Sequence, residues 1–242
     1  MKADFRISDR IAIAVMARAP SDEGGKTRLL AAVGAEAGAD LRRAMLLDTL
    51  DVARQAAVAA DRLVVFTPAA AEAEFAQLAV GRFHLIPQRG DGLGERLECA
   101  FVDLLARRYP GVLIIGSDLP TLPVHHVEQA VSALMAHPDP IVLGPARDGG
   151  YYLIGLRKLH PELFHDVPWS TAAVLTTTVE IANRLGLPVS LVPEWYDVDS
   201  IDDLEGAIQP SRLGGHRARH TEQVMAQLGA VRPRSPAKER LH

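Results

Sequence analysis

A single cysteine, Cys99, rules out an intrachain disulfide and any cysteine-built metal cluster. It stands among Leu97, Ala100, Phe101, Leu104 and Leu105 at helical spacing, so it reads as a packing residue. Long hydrophobic runs are missing as well. The longest, Ile11 to Ala17 and Val112 to Ile115, fall far short of the roughly 20 residues that cross a bilayer. The opening MKADFRISDR places charges where a secretory peptide needs its apolar segment, so a cytoplasmic address and no membrane partner are expected. Zinc-type histidine spacing is also lacking. His125 adjoins His126, and His160 precedes His165 by five positions, neither of which puts two ligands on one helical face.

Aromatic residues are only 5% of the chain, and none lies beyond Tyr196. From Pro210 onward seven Lys or Arg face two acids, which makes this end +5 and residues 1–209 −9 within a net charge of −4. A basic segment without aromatic rings has no stacking surface for single-stranded nucleic acid, so a nucleic-acid partner is not expected. Residues 210–242 are read as a basic, solvated and partly disordered tail on one domain of residues 1–209. Within the tail, TEQVMAQL (221–228) has enough helical character for one or two turns.

The 242 residues do contain β-branched apolar runs alternating with segments of helical period, the pattern of βα units around a mainly parallel sheet. Strands are predicted near 10–17, 62–67, 82–87, 112–116, 140–143, 151–155 and 188–193. The clearest helix spans about 36–59, and others begin near Gly94, Pro123, Ser170 and Ile201. The last follows Ser200 with Asp203 three positions on, a capping-box spacing. Open α/β sheets bind ligands at the carboxyl ends of their strands, where loops and helix N-termini converge.

Several loops at those ends carry chemistry. In ARAPSDEGGKTRL (17–29), Gly24 and Gly25 free the backbone to turn N–H groups toward an anion, and Arg18, Lys26 and Arg28 bring positive charge. In QRGDGLGERL (88–97), the glycines, Gly92 and Gly94 among them, would let a flat base or ribose lie against the backbone, with Gln88 at a base edge. GSDLP (116–120) ends a buried strand on Asp118. A carboxylate there is costly to desolvate unless a cation meets it, so Asp118 is a candidate metal ligand, and Asp197 and Asp199 in YDVDSIDDL (196–204) offer a second. The alternative is that Asp118 caps a turn and Asp199 starts a helix. In GPARDGGYYLIG (144–155), Asp148 could deprotonate an acceptor hydroxyl, and Gly149 and Gly150 would let the acceptor approach beside Tyr151. PWST (168–171) offers Trp169 as a lid or core residue and Ser170 or Thr171 as a helix cap.

Taken in order, these six blocks resemble the transferases associated with radical-SAM and selenium-domain proteins, formerly a domain of unknown function (DUF2064), some of which are arsenosugar-type glycosyltransferases. The resemblance spans about residues 11–208. It implies a GT-A fold of the nucleotide-diphospho-sugar transferase superfamily, a mainly parallel sheet sandwiched by helices. The same blocks are more distantly similar to phospholactate and molybdopterin guanylyltransferases. By resemblance, Lys26 and Arg28 hold phosphates, and Asp118 with Asp199 hold Mg2+ or Mn2+. Two departures stand out: Ser21, Asp22 and Glu23 replace glycine at the tip of the first loop, and GSDLP carries one aspartate where many glycosyltransferases have two. The resemblance implies a metal-dependent transferase with a nucleotide-activated donor and a small acceptor, most directly glycosyl transfer from an NDP-sugar. Nucleotidyl transfer from an NTP to a phosphorylated small molecule and nucleotide binding without turnover are the alternatives.

Overall fold

The structure, a computed structural model, describes residues 10–22, 29, 32–79, 83–208 and 216–231. Seven strands form one sheet: β1 (Ile11–Arg18), β2 (Ala60–Thr67), β3 (His84–Pro87), β4 (Val112–Gly116), β5 (Ile141–Pro145), β6 (Tyr151–Leu156) and β7 (Val189–Leu191). Their spatial order is β3-β2-β1-β4-β6-β5-β7. All neighbouring pairs are parallel except those made by β6, which runs antiparallel to both β4 and β5. The carboxyl ends of six strands therefore meet the amino end of β6 along one rim. Each strand lies within about two residues of its sequence-predicted place, because β-branched runs bounded by turn residues leave little freedom in the assignment.

Helices cover both faces, as the expected fold class requires: α1 (Ala35–Gln55), α2 (Glu72–Leu78), α3 (Leu93–Leu105), α4 (Val124–Ala136), α5 (Val174–Arg184), α6 (Ile201–Ile208) and α7 (Arg219–Val231). Alternation along the strands sorts the core into two layers. Ile11, Ile13 and Val15 of β1, with Leu113 and Ile115 of β4, pack against Leu50 of α1, Phe75 of α2 and Val127 and Leu134 of α4. Ala12 and Ala14 of β1, with Val112 and Ile114, face Phe101 and Leu104 of α3 and Ile181 of α5. Helix α1 stops at Gln55, short of the expected 59. Ala56 leaves the helical region at ψ 120, and the Arg62 guanidinium takes the carbonyls of Ala53 and Ala56, a cation serving the helix C-terminus.

The expectation of a solvated tail is corrected for residues 216–231. Helix α7 lies against α1, where Val224, Met225 and Leu228 join Leu29, Leu41, Met45, Val198 and Leu204 in a third apolar cluster. The clamp is Asp48, a fully buried acid on α1. Its carboxylate accepts hydrogen bonds from the His220 and Thr221 backbone N–H groups (3.0 and 2.9 Å) and from the Thr221 hydroxyl (2.7 Å), so it serves as N-cap for a helix far along the chain. Desolvation raises the Asp48 carboxyl above its ordinary range, against the pull of these hydrogen bonds. Cys99, on α3, is a partly buried free thiol.

Candidate functional site

The rim divides into two adjoining hollows, both lined by Met16 and Leu93. The smaller, about 310 Å3, collects Arg18 from the end of β1, Thr67 from the end of β2, and Gln88, Asp91 and Arg96 from the loop and helix after β3. Gln88 is fixed in orientation. Its Nε2 donates to the carbonyls of Ala17 (3.1 Å) and Val65 (2.8 Å), so both amide donors are spent on the strand ends. Arg18 pairs with Asp22 at 2.8 Å on the loop leaving β1. Gly25, Lys26 and Arg28 lie outside the described residues.

The two glycines of the second loop have different surroundings. Gly92 precedes α3 with open space around it, whereas Gly94 lies buried under Trp169, and a Cβ there would also come within 2.8 Å of the Phe164 carbonyl oxygen. Gly94 thus seats the indole, a role the glycine-rich pattern did not reveal.

The larger hollow, about 650 Å3, runs between the end of β4 and the start of β6, and Asp118, Asp148, Asp197, Asp199, Tyr151 and Trp169 line it. Backbone hydrogen bonds bring these separate stretches together. The N–H of Val198 donates to the carbonyl of Asp118 at 3.1 Å, which lays the YDVDS segment against the GSD loop. Trp195 N–H donates to Pro145 O and Arg147 N–H to Trp195 O, which ties the same segment to the turn after β5.

Asp148 sits in that turn, and its Oδ1 accepts from the Gly150 N–H at 2.9 Å, which orients the carboxylate over the cleft. Gly149 has φ +89, and a Cβ there would strike the backbone of Ala172. Its freedom therefore closes the turn on the 168–173 loop, a different reason from the acceptor access expected. Leu175 N–H donates to Gly149 O at 3.0 Å and completes that closure.

Trp169 is both lining and packing. Its Nε1 donates to Phe164 O at 3.3 Å, and its ring meets Tyr151 nearly edge-on at 6.2 Å. Burial pushes the Tyr151 phenol above its ordinary range, so it stays a neutral hydroxyl. Helix α5 starts at Val174 with Ala173 as N-cap, so neither Ser170 nor Thr171 caps it. Ser170 instead turns the loop at φ 64, and the Thr171 hydroxyl bridges Pro168 O and Ala173 N–H. The Ser200–Asp203 capping box forms as its spacing predicts: Ser200 Oγ accepts from the Asp203 N–H at 3.2 Å, and the Asp203 carboxylate accepts from the Ser200 N–H at 2.9 Å. That box holds Asp199 at the head of α6.

The donor set suits a hard cation completed by substrate. Among the described residues no group of three or more His, Cys, Asp or Glu is spaced to hold a metal by protein ligands alone. Two cleft carboxylates, Asp118 and Asp199, match what Mg2+ takes when phosphate oxygens and water supply the rest. Sequence reasoning missed Met16, Asp91 and Arg96 as lining. Asp91 and Arg96 were visible inside the 88–97 block, but nothing local marks which of its polar residues turn inward.

Residues 49–171 match the family described as an uncharacterized protein conserved in bacteria, DUF2064. The chain is 30% identical over 207 residues to a 3-phospho-D-glycerate guanylyltransferase from Phenylobacterium zucineum (strain HLK1), covering 85% of this chain and 91% of that one. A crystal structure from Desulfovibrio desulfuricans G20, provisionally assigned as a nucleotide-diphospho-sugar transferase, superposes with a TM-score of 0.79 at 30% identity, over 90% of this chain and 96% of that one. A CMP:2-keto-3-deoxy-manno-octonic acid synthetase complexed with CTP shares the fold at a TM-score of 0.56 and 15% identity, over 81% and 96% of the two chains. The chain belongs to the DUF2064 family and is a transferase with the nucleotide-diphospho-sugar transferase fold.

Proposed function

We propose that this transferase moves a glycosyl group from a nucleoside-diphosphate sugar to the hydroxyl of a small neutral acceptor, with Mg2+ or Mn2+ at the diphosphate. The observation that carries this reading is the lining of the larger hollow. Among the described residues it presents four aspartates and the rings of Tyr151 and Trp169, with no Lys or Arg. Asp148 and Asp197 would accept hydrogen bonds from sugar hydroxyls and the aromatic rings would cover C–H faces, whereas a phosphorylated acceptor beside these two carboxylates would meet charge of its own sign.

In this reading the base lies in the smaller hollow beside Gln88, and Gly25, Lys26 and Arg28 hold the phosphates. Asp118 and Asp199 would hold the cation, which would supply positive charge to the leaving diphosphate when bound. Asp148 takes the proton of the acceptor hydroxyl. The acceptor oxygen bonds to the anomeric carbon, and the bond from that carbon to the diphosphate oxygen breaks, its electron pair leaving with the nucleoside diphosphate.

Nucleotidyl transfer is the second reading, favoured by 30% identity to the guanylyltransferase over most of the chain. There an acceptor phosphate attacks the α-phosphorus and pyrophosphate leaves. One assay separates the two. The protein is incubated with Mg2+, a panel of NTPs and NDP-sugars, and neutral or phosphorylated acceptors. Release of a nucleoside diphosphate, reduced at least about tenfold in Asp118→Asn, is the expected result. Pyrophosphate release from an NTP, with no diphosphate from any sugar nucleotide, overturns the first reading in favour of the second.

A further inference from the structure

Thr49 on α1 is fully buried, yet it is not spent on its own helix alone. Its hydroxyl oxygen lies 2.9 Å from two acceptors that share its single proton, the Met45 carbonyl one turn back and the Ser117 carbonyl across the interface. The same oxygen accepts from the Leu119 N–H at 3.3 Å. One hydroxyl therefore closes the peptide groups on both sides of Asp118. From the opposite direction the Val198 N–H holds the Asp118 carbonyl at 3.1 Å.

We propose that Thr49 is a positioning residue for Asp118: its hydroxyl fixes the Ser117–Leu119 backbone so that the Asp118 carboxylate meets a divalent cation at the head of the larger hollow. This rests on the metal assignment made above. Peptide groups in a half-buried turn must find partners, and the bend after β4 breaks the strand ladder at the point where they are needed. A side chain from α1 supplies both a donor and an acceptor there, which valine, alanine or leucine at this position could not. The adjacent residue, Asp48, clamps α7, so two successive polar residues on an otherwise apolar helix face hold separate parts of the molecule.

The test is Mn2+ binding to the full-length protein, read by the electron paramagnetic resonance of free Mn2+, for wild type, Asp118→Asn, Thr49→Val and Thr49→Ser. Urea unfolding of each variant reports its folded fraction. Thr49→Val should weaken Mn2+ binding by about tenfold or more in protein that remains folded, as loss of a group orienting a metal ligand does, and Thr49→Ser should bind within about threefold of wild type. A purely structural threonine would lower stability in Thr49→Val and leave Mn2+ affinity of the folded protein unchanged, and that outcome overturns the proposal. If Thr49→Val does not fold, Thr49→Ala, which removes the hydroxyl without added bulk, carries the same comparison. Weakening by Asp118→Asn with none at Thr49 refutes positioning alone. Unchanged binding in Asp118→Asn refutes the metal assignment and this proposal with it.

Discussion

His126 gives the most quantitative expectation. It is 5% exposed on α4, its Nδ1 lies 3.2 Å from the Tyr152 hydroxyl, and Trp195 meets its ring edge-on at 5.4 Å. His125 sits against it at 4.7 Å between ring centroids. Burial first, and the neighbouring imidazole second, lower its pKa from 6.5 to about 4. The folded protein therefore holds a neutral ring that the unfolded chain protonates more readily. The stability this represents is fully present above the unfolded pKa and is lost as pH falls from 6.5 toward 4.

At pH 5 the loss is about 2 kcal/mol relative to pH 7, while most carboxylates are still ionised. In urea, with a slope of about 2 kcal/mol per molar, the unfolding midpoint should fall by about 1 M between pH 7 and pH 5. His126→Gln keeps a polar group beside Tyr152 and cannot titrate, so its midpoint should fall by about 1 M less than wild type over that interval. Parallel pH dependence in the two proteins would refute the reasoning and show that His126 already takes up its proton in the folded state.

Removing residues 216–242 should destabilise the protein by about 3 kcal/mol, or roughly 6–12 °C in Tm, because Leu41, Met45 and the Asp48 carboxylate lose their cover; an unchanged calorimetric Tm would show that α7 contributes nothing to the body. Gly94→Ala should displace the Trp169 indole and cost about 1–3 kcal/mol, while Gly92→Ala, with open space at its Cβ, should fall within about 0.5 kcal/mol of wild type; tryptophan emission and urea unfolding report both, and equal effects would deny Gly94 its seating role.

The sheet and the location of Asp118 were legible because both follow from local pattern. Runs such as VLII before GSD specify a buried strand and its end without reference to anything distant. The Ser200–Asp203 box was legible for the same reason. What escaped depends on partners far apart in the chain. Helix α7 brings Val224, Met225 and Leu228 to the body as an apolar stripe, and a count over residues 210–242 buries that stripe under seven basic residues. The complementary signal was Asp48, an acid inside the apolar face of α1, but a lone buried acid does not name its ligand. Likewise Gly94 looks like one more glycine in a flexible loop until Trp169, far along the chain, is laid over it.

The reversed strand β6 has a further consequence. Because it enters the sheet from the rim, the short turn at residues 146–150 lines the larger hollow, and both its anchors are strands of the central sheet. Lengthening or shortening that turn would redraw the outer half of the cleft and the Trp195 and Leu175 contacts that rest on it, while β1, β2 and β3 at the far side of the sheet make no bond to it among the described residues. On the proposed reading, a change confined to this hairpin would alter the acceptor side of the cleft and keep the smaller hollow at the ends of β1 and β2.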